Sequence, residues 1–144
     1  MIDKRNKIIE IMQSTGVVPL FSHDNAEVAQ HIIEAAYKGG VRIVEFTNRK
    51  KNALEVFNQL VKNRKAYPDL LLGIGTVMDT VTTKKFIDAG ADFIISPILK
   101  PEMAEVCKEH KMIDISDFDY VNATHAYPVM INGRISGYVD NAEI

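Results

Sequence analysis

Apolar residues recur along the first 112 positions with two alternating periods. From Asn6 to Ser14 they fall at Ile8, Ile11 and Met12, which is helical spacing. After Gly16, the run Val17-Val18-Pro19-Leu20-Phe21 reads as a short strand. Asp24 then offers an N-cap with Glu27 three residues on, the pattern of a capping box. Val28, Ala29, Ile32, Ile33 and Ala36 share one helical stripe until Gly39 and Gly40 stop the helix. Residues 41–47 form a β-branched strand, and a further helix begins at about Asn52, with Leu54, Phe57, Leu60 and Val61 as its buried stripe. The cycle repeats. A strand over 70–74 ends in Gly75-Thr76, and a helix capped by Asp79 runs through Phe86 and Ile87 to Gly90. A strand over 92–95 ends in Ser96-Pro97, and a last helix carries Pro101 in its first turn, with Met103, Val106 and Cys107 inward.

Strict alternation of strand and helix predicts an α/β fold, a parallel sheet with helical crossovers. The strands are apolar on both faces, as when helices cover one side and a packed interior fills the other. Strand starts near residues 17, 41, 70 and 92 give a unit of roughly 25 residues. Four βα units after an N-terminal helix are half of a (β/α)8 TIM-type barrel, which needs about 250 residues. The expectation is a truncated barrel over 1–112. An open doubly wound sheet is the rival, but Gly73-Ile74-Gly75-Thr76 lacks the third glycine of a dinucleotide turn. Residues 113–144 read as a divergent tail. Asn132-Gly133 between two apolar runs predicts a β-hairpin over 126–139.

Composition narrows the partners. Seventeen Lys and Arg against nineteen Asp and Glu leave a net charge of -2, and Arg49-Lys50-Lys51 is too short a basic cluster for nucleic acid. No apolar run approaches the roughly 20 residues that span a bilayer. A lone cysteine, Cys107, excludes an internal disulfide and suits a reducing compartment, and the charged first residues do not resemble a secretion signal. A cytoplasmic protein without membrane or nucleic-acid partner is expected. Cys107 and His110 lack the second ligand pair of a zinc site, and Asp114, Asp117 and Asp119 lack the glycine and distal glutamate of a calcium loop, so no metal is expected.

Function in parallel βα folds gathers at the carboxyl ends of the strands. The second strand ends Glu45-Phe46-Thr47-Asn48-Arg49. If the extended conformation persists, Glu45, Thr47 and Arg49 lie on one face after the apolar Val41 and Ile43. A structural ion pair between Glu45 and Arg49 and an active-site rim fit this pattern about equally. Gly75-Thr76 and Ser96-Pro97, taken singly, read as turns.

Four segments in register resemble one family. Gly40-Val41-Arg42-Ile43-Val44-Glu45-Phe46-Thr47-Asn48-Arg49 is similar to the signature of the 2-keto-3-deoxy-6-phosphogluconate (KDPG) aldolases, which overlap with the 4-hydroxy-2-oxoglutarate (KHG) aldolases. Val17-Val18-Pro19-Leu20, Gly73-Ile74-Gly75-Thr76-Val77 and 89–97 resemble the family's first, third and fourth strand segments. The resemblance implies a cofactor-free, metal-free class I aldolase, commonly a homotrimer. Such an enzyme cleaves 2-keto-4-hydroxy acids to pyruvate and an aldehyde through a lysine Schiff base. It also implies Glu45 as the general acid/base, Arg49 as the holder of the substrate carboxylate, Thr76 and Pro97 as lining of the pyruvate site, and Thr47 as their support.

An arginine fork suits a planar carboxylate, each charge-assisted bond being worth about 1.5–3 kcal/mol. A glutamate at a water-poor mouth has its pKa pushed upward, toward the working range of a general base. The family's nucleophilic lysine lies on the sixth strand, in a segment this sequence does not contain, and no lysine follows Lys111. Lys50, Lys51 and Lys100 fall near strand ends and read as solvated surface residues. Two expectations stand side by side: an aldolase, and a catalytically impaired relative that at most binds small keto acids.

Overall fold

The computed structural model describes residues 4–97, 100–114, 126–131 and 134–140. Helix α1 (Lys4–Thr15) leads into β1 (Leu20–Phe21), α2 (Ala26–Lys38), β2 (Ile43–Thr47) and α3 (Ala53–Asn63). A 3-10 turn at Arg64–Ala66 precedes β3 (Leu71–Gly75), α4 (Thr80–Asp88), β4 (Phe93–Ile94) and α5 (Pro101–Glu109). These are the four βα units expected. The parallel order then continues one strand further, to β5 (Ile113–Asp114), which pairs with β4. The sheet runs β1-β2-β3-β4-β5 with every pairing parallel, so each crossover moves to the adjacent strand, as in the front of a barrel. Strands β6 (Ala126–Ile131) and β7 (Arg134–Asp140) form an antiparallel hairpin with an irregularity between Val129 and Met130. The Asn132-Gly133 turn expected to join them lies outside the described residues.

The helix ends follow from local chemistry. Asn25 is the N-cap of α2, its side-chain oxygen accepting the N–H groups of Glu27 (2.9 Å) and Val28 (3.0 Å). That moves the cap one residue from the expected Asp24, because the amide of Asn25 reaches two of the orphan donors in the first turn. Asp79 caps α4 as expected, accepting from Thr82 N–H at 2.7 Å. Gly40 (φ 96°) and Gly90 (φ 95°) take the left-handed turns that follow α2 and α4, conformations costly for any residue with a Cβ.

Strand alternation divides the apolar residues between two layers. Val44, Phe46, Leu72 and Ile74 point outward against α2–α5, where Phe57 and Phe86 meet edge to face at 5.4 Å. Ile43, Leu71 and Phe93 point the other way and pack with Ile8 of α1, joined by Ile11 and Met12. Helix α1 therefore covers the inner face near the amino ends of the strands, as a plug would. Two polar clasps close that same end. Arg42 binds Asp69 (2.7 Å) and lies 4.1 Å over the Tyr37 ring; Arg64 binds Asp92, whose carboxylate also accepts Leu72 N–H at 2.9 Å. With the amino ends sealed, the inner face changes character toward the carboxyl ends of the strands.

Candidate active site

Along the inner face of β2 the residues run Ile43, Glu45, Thr47, from a fully apolar side chain to two polar ones. Glu45 is only 8% exposed, held by a backbone bond from its own N–H to Pro19 C=O (2.9 Å) and by pairing opposite Gly73 of β3. Its side chain reaches along the strand direction and lies over Gly75. A Cβ built on Gly75 would stand 1.6 Å from Glu45 Oε1 and 2.4 Å from its Cδ. The Phe93 ring lies over Gly73 in the same way, 2.1 Å from where a Cβ would be. Beyond Leu71 the inner face of β3 is therefore a bare strip of backbone, onto which a carboxylate leans from β2 and a ring from β4.

Burial pushes the Glu45 carboxyl above the ordinary carboxylate range, and the positive charge of Arg49 partly opposes that rise. Among the described residues no donor is bonded to the carboxylate. Thr47, 1% exposed and opposite Gly75, keeps its hydroxyl Oγ1 buried without a hydrogen-bond partner among the described residues. A buried, unsatisfied hydroxyl costs about 1–3 kcal/mol, which a bound polar ligand or water would relieve.

Arg49 does not continue the strand alternation. Strand β2 ends at Thr47, and Arg49 N–H turns back to Thr47 C=O at 2.9 Å, leaving the side chain exposed. The expected extended face therefore stops two residues short. Arg49 reaches Glu45 only through its electrostatic field, with no ion pair between them, which weighs against the purely structural pairing. Thr76 has φ 61°, in the left-handed region that β-branched residues rarely enter. The ladder shows why. Ile95 N–H bonds Ile74 C=O (2.8 Å), but Ile95 C=O accepts from Val77 (3.4 Å), where an unbroken parallel ladder would use Thr76. Thr76 is thus passed over by the hydrogen bonding just past the carboxyl end of β3, in a strained backbone of the kind found beside functional sites. Pro97 is exposed after β4.

Glu45 and Thr47 thus lie at the carboxyl end of β2 and Thr76 just past that of β3, Arg49 follows in the next loop, and Pro97 lies beyond the end of β4. The lysines named from the sequence do not join them. Lys50 and Lys51 are exposed, and Lys100 Nζ donates to Met78 C=O at 2.7 Å, tying two loops together. No cluster of His, Cys, Asp or Glu among the described residues has the makings of a metal site, and no described helix is long and apolar enough to cross a membrane.

The family profile of the KDPG and KHG aldolases matches residues 8–122. The chain belongs to this family. The 2-dehydro-3-deoxy-phosphogluconate aldolase of Haemophilus influenzae is 30% identical over 103 residues, covering 72% of this chain and 47% of that protein. The KHG/KDPG aldolase of Escherichia coli K12 is 32% identical over 101 residues, 69% of this chain and 46% of the relative. Among solved structures, the 2-keto-3-deoxy-6-phosphogluconate aldolase of Zymomonas mobilis ZM4 with 3-phosphoglycerate superposes with a TM-score of 0.65 at 27% identity, covering 74% of this chain and 49% of that one. The Legionella pneumophila KDPG aldolase, with pyruvate captured as a covalent carbinolamine, gives 0.63 at 28% identity, with 69% and 47% covered. The chain spans about half the length of the curated aldolases it matches.

Sequence reasoning named Glu45, Thr47, Arg49, Thr76 and Pro97 as candidates but gave Gly73 and Gly75 no part in their setting. The signal was present: two glycines at period two place both on one face of β3, opposite the glutamate strand.

The raised Glu45 carboxyl has a stability consequence. Below the ordinary glutamate pKa of about 4.3 the group is protonated in folded and unfolded chains alike and costs nothing. As pH rises through the higher folded value, the folded state must carry a buried charge and stability falls. Glu45→Gln is therefore expected to be more stable than the parent at pH 7, the gain vanishing toward pH 4 in urea unfolding. A variant less stable than the parent at pH 7 would show instead that the ionised carboxylate is favoured.

Proposed function

We infer that this chain carries the proton-transfer and carboxylate-binding part of a class I aldolase site for 2-keto-4-hydroxy acids. The observation that carries this reading is a buried carboxylate at the carboxyl end of β2, unpaired among the described residues and within the field of an exposed arginine. Arg49, bound to no acid among the described residues, would grip the 1-carboxylate of a 2-keto acid through two parallel N–H···O bonds. Glu45 would move protons to and from the neighbouring carbonyl oxygen and, given an amine to form the iminium that accepts the electron pair, take the proton of the 4-hydroxyl as the carbon–carbon bond breaks. Its desolvated setting suits both tasks, since a carboxyl raised toward neutrality gives and takes protons readily. Thr47 and Thr76 would complete the polar lining, with Pro97 at its outer edge.

The electron sink is the part these residues do not provide. Cleavage of a 2-keto acid by this class of chemistry needs an amine that forms an iminium with the substrate carbonyl. No described lysine is placed on the inner face beside Glu45. The second reading, a relative that binds keto acids without cleaving them, is favoured for the chain by itself on that observation. Both readings share the same binding determinants.

A homo-oligomer belongs to the same proposal. It is supported by the outer position of β1 in the sheet and by Leu20, Val28 and Ile32, which stay 39–55% exposed. Sedimentation velocity is expected to give a species larger than the 16.1 kDa chain, and a stable monomer at micromolar concentration would contradict it.

Binding tests the site directly. Pyruvate, followed by chemical-shift changes in the folded protein, is expected to bind, and Arg49→Ala to weaken it roughly 10- to 100-fold, the worth of one charge-assisted pair. Undiminished binding by Arg49→Ala, or no binding by the parent, would overturn this reading.

A further inference from the structure

Nothing about the backbone of β3 demands glycine at position 75. The positive-φ glycines among the described residues are Gly16, Gly40 and Gly90, so Gly73 and Gly75 hold conformations any residue adopts. In a strand, a glycine without such a need is a handicap, since alanine loses less conformational freedom on folding. What demands it is space. The carboxylate of Glu45 occupies the volume a Cβ at 75 would fill, and the Phe93 ring occupies the same volume at 73.

We propose that Gly75 is the positioning residue of this site: its missing side chain is the seat that draws the Glu45 carboxylate across from β2 onto β3. Without the seat, a side chain at 75 would push the carboxylate off the inner face, toward Arg49 and the solvent at the strand ends. Gly73 plays the companion part, letting the Phe93 ring lie flat on β3 on the amino side of the carboxylate and keep water from reaching it there. The groups around Glu45 can be named element by element. Strand β2 supplies Thr47, and the loop after it Arg49, the charge that acts on Glu45. Strand β3 supplies the two glycines and the residue after it is Thr76, β4 supplies Phe93 with Ile95 just after it, and α1 supplies Ile8, Ile11 and Met12 deeper in the same layer. The seat is therefore apolar on every side but the mouth. That Glu45 is the acid/base rests on the function proposed above; that Gly75 seats it does not.

Two measurements, neither needing turnover, test this. The first is a double-mutant cycle in urea with Gly75→Ala, Glu45→Ala and both together. Measured at pH 4, where the Glu45 carboxyl is protonated and brings no charge penalty to its seat, Gly75→Ala alone is expected to lower the unfolding midpoint. In the Glu45→Ala background the same change is expected to be neutral or to raise it, because the clash is gone and alanine suits a strand better. An equal loss in both backgrounds would overturn the proposal. Should Gly75→Ala not fold, recovery of a cooperative transition in the double variant is the expected result, and failure of both would overturn it. The second is the carboxyl 13C titration of Glu45, assigned with Glu45→Gln. In Gly75→Ala, or in Gly75→Ser if that folds better, its midpoint is expected to move down toward the ordinary glutamate range. An unchanged midpoint would mean the carboxylate does not depend on the seat. Should pyruvate fail to bind while both results hold, the functional reading falls and the seat stands.

Discussion

A carboxylate resting on bare backbone sets the terms for its surroundings. Glu45 can lie over β3 only because Gly75 offers no side chain, and it lies there buried above an apolar layer of Ile8, Ile43, Leu71 and Phe93. Desolvation and the close β2–β3 pairing are thus one constraint. The five-residue register from Ile43–Leu71 to Thr47–Gly75 fixes which residue faces which, and a slip of one would turn Glu45 outward into the layer of Val44 and Phe46. The aromatic packing of Phe46, Phe57 and Phe86 on the other side of the sheet therefore serves the site indirectly, by locking that register.

The two ends of the inner face divide the labour. At the amino ends, α1 and the Arg42–Asp69 and Arg64–Asp92 clasps close the sheet. At the carboxyl ends, the strands stop early and the chain turns sharply: Arg49 folds back on Thr47, and Thr76 is passed over by the hydrogen bonding, with a left-handed backbone. Strain of that kind is tolerated where neighbouring bonds over-determine it, and here the flanking bonds of Ile95 to Ile74 and Val77 supply that restraint.

Much of this was legible in the sequence because period and punctuation are local properties. Alternation of apolar periods gave the crossovers, and Gly39-Gly40, Asp79, Gly90 and Pro101 marked their ends at or within a residue of where they occur. Glu45 stood out as the charge that ends the apolar face of Val41 and Ile43. What stayed hidden was contact between strands. Arg49 was placed on the face of Glu45 by extrapolating an alternation that a tight turn ends. The fifth strand opens a stretch with Asp114, Ser116, Asp117 and Asp119 and has no apolar run to announce it, and the meaning of Gly75 depended on which side chain crosses over it from β2. Half of a barrel face can be read along the chain; the pairing that turns it into a site cannot.

As proposed, these residues would hold a keto acid and move its protons but bring no amine to it. Borohydride reduction in the presence of pyruvate, read by intact mass on folded protein, tests that most directly. The expected result is no adduct. A stoichiometric mass increase, abolished without pyruvate, would contradict it, by showing that a lysine of this chain reaches the substrate carbonyl and forms the Schiff base.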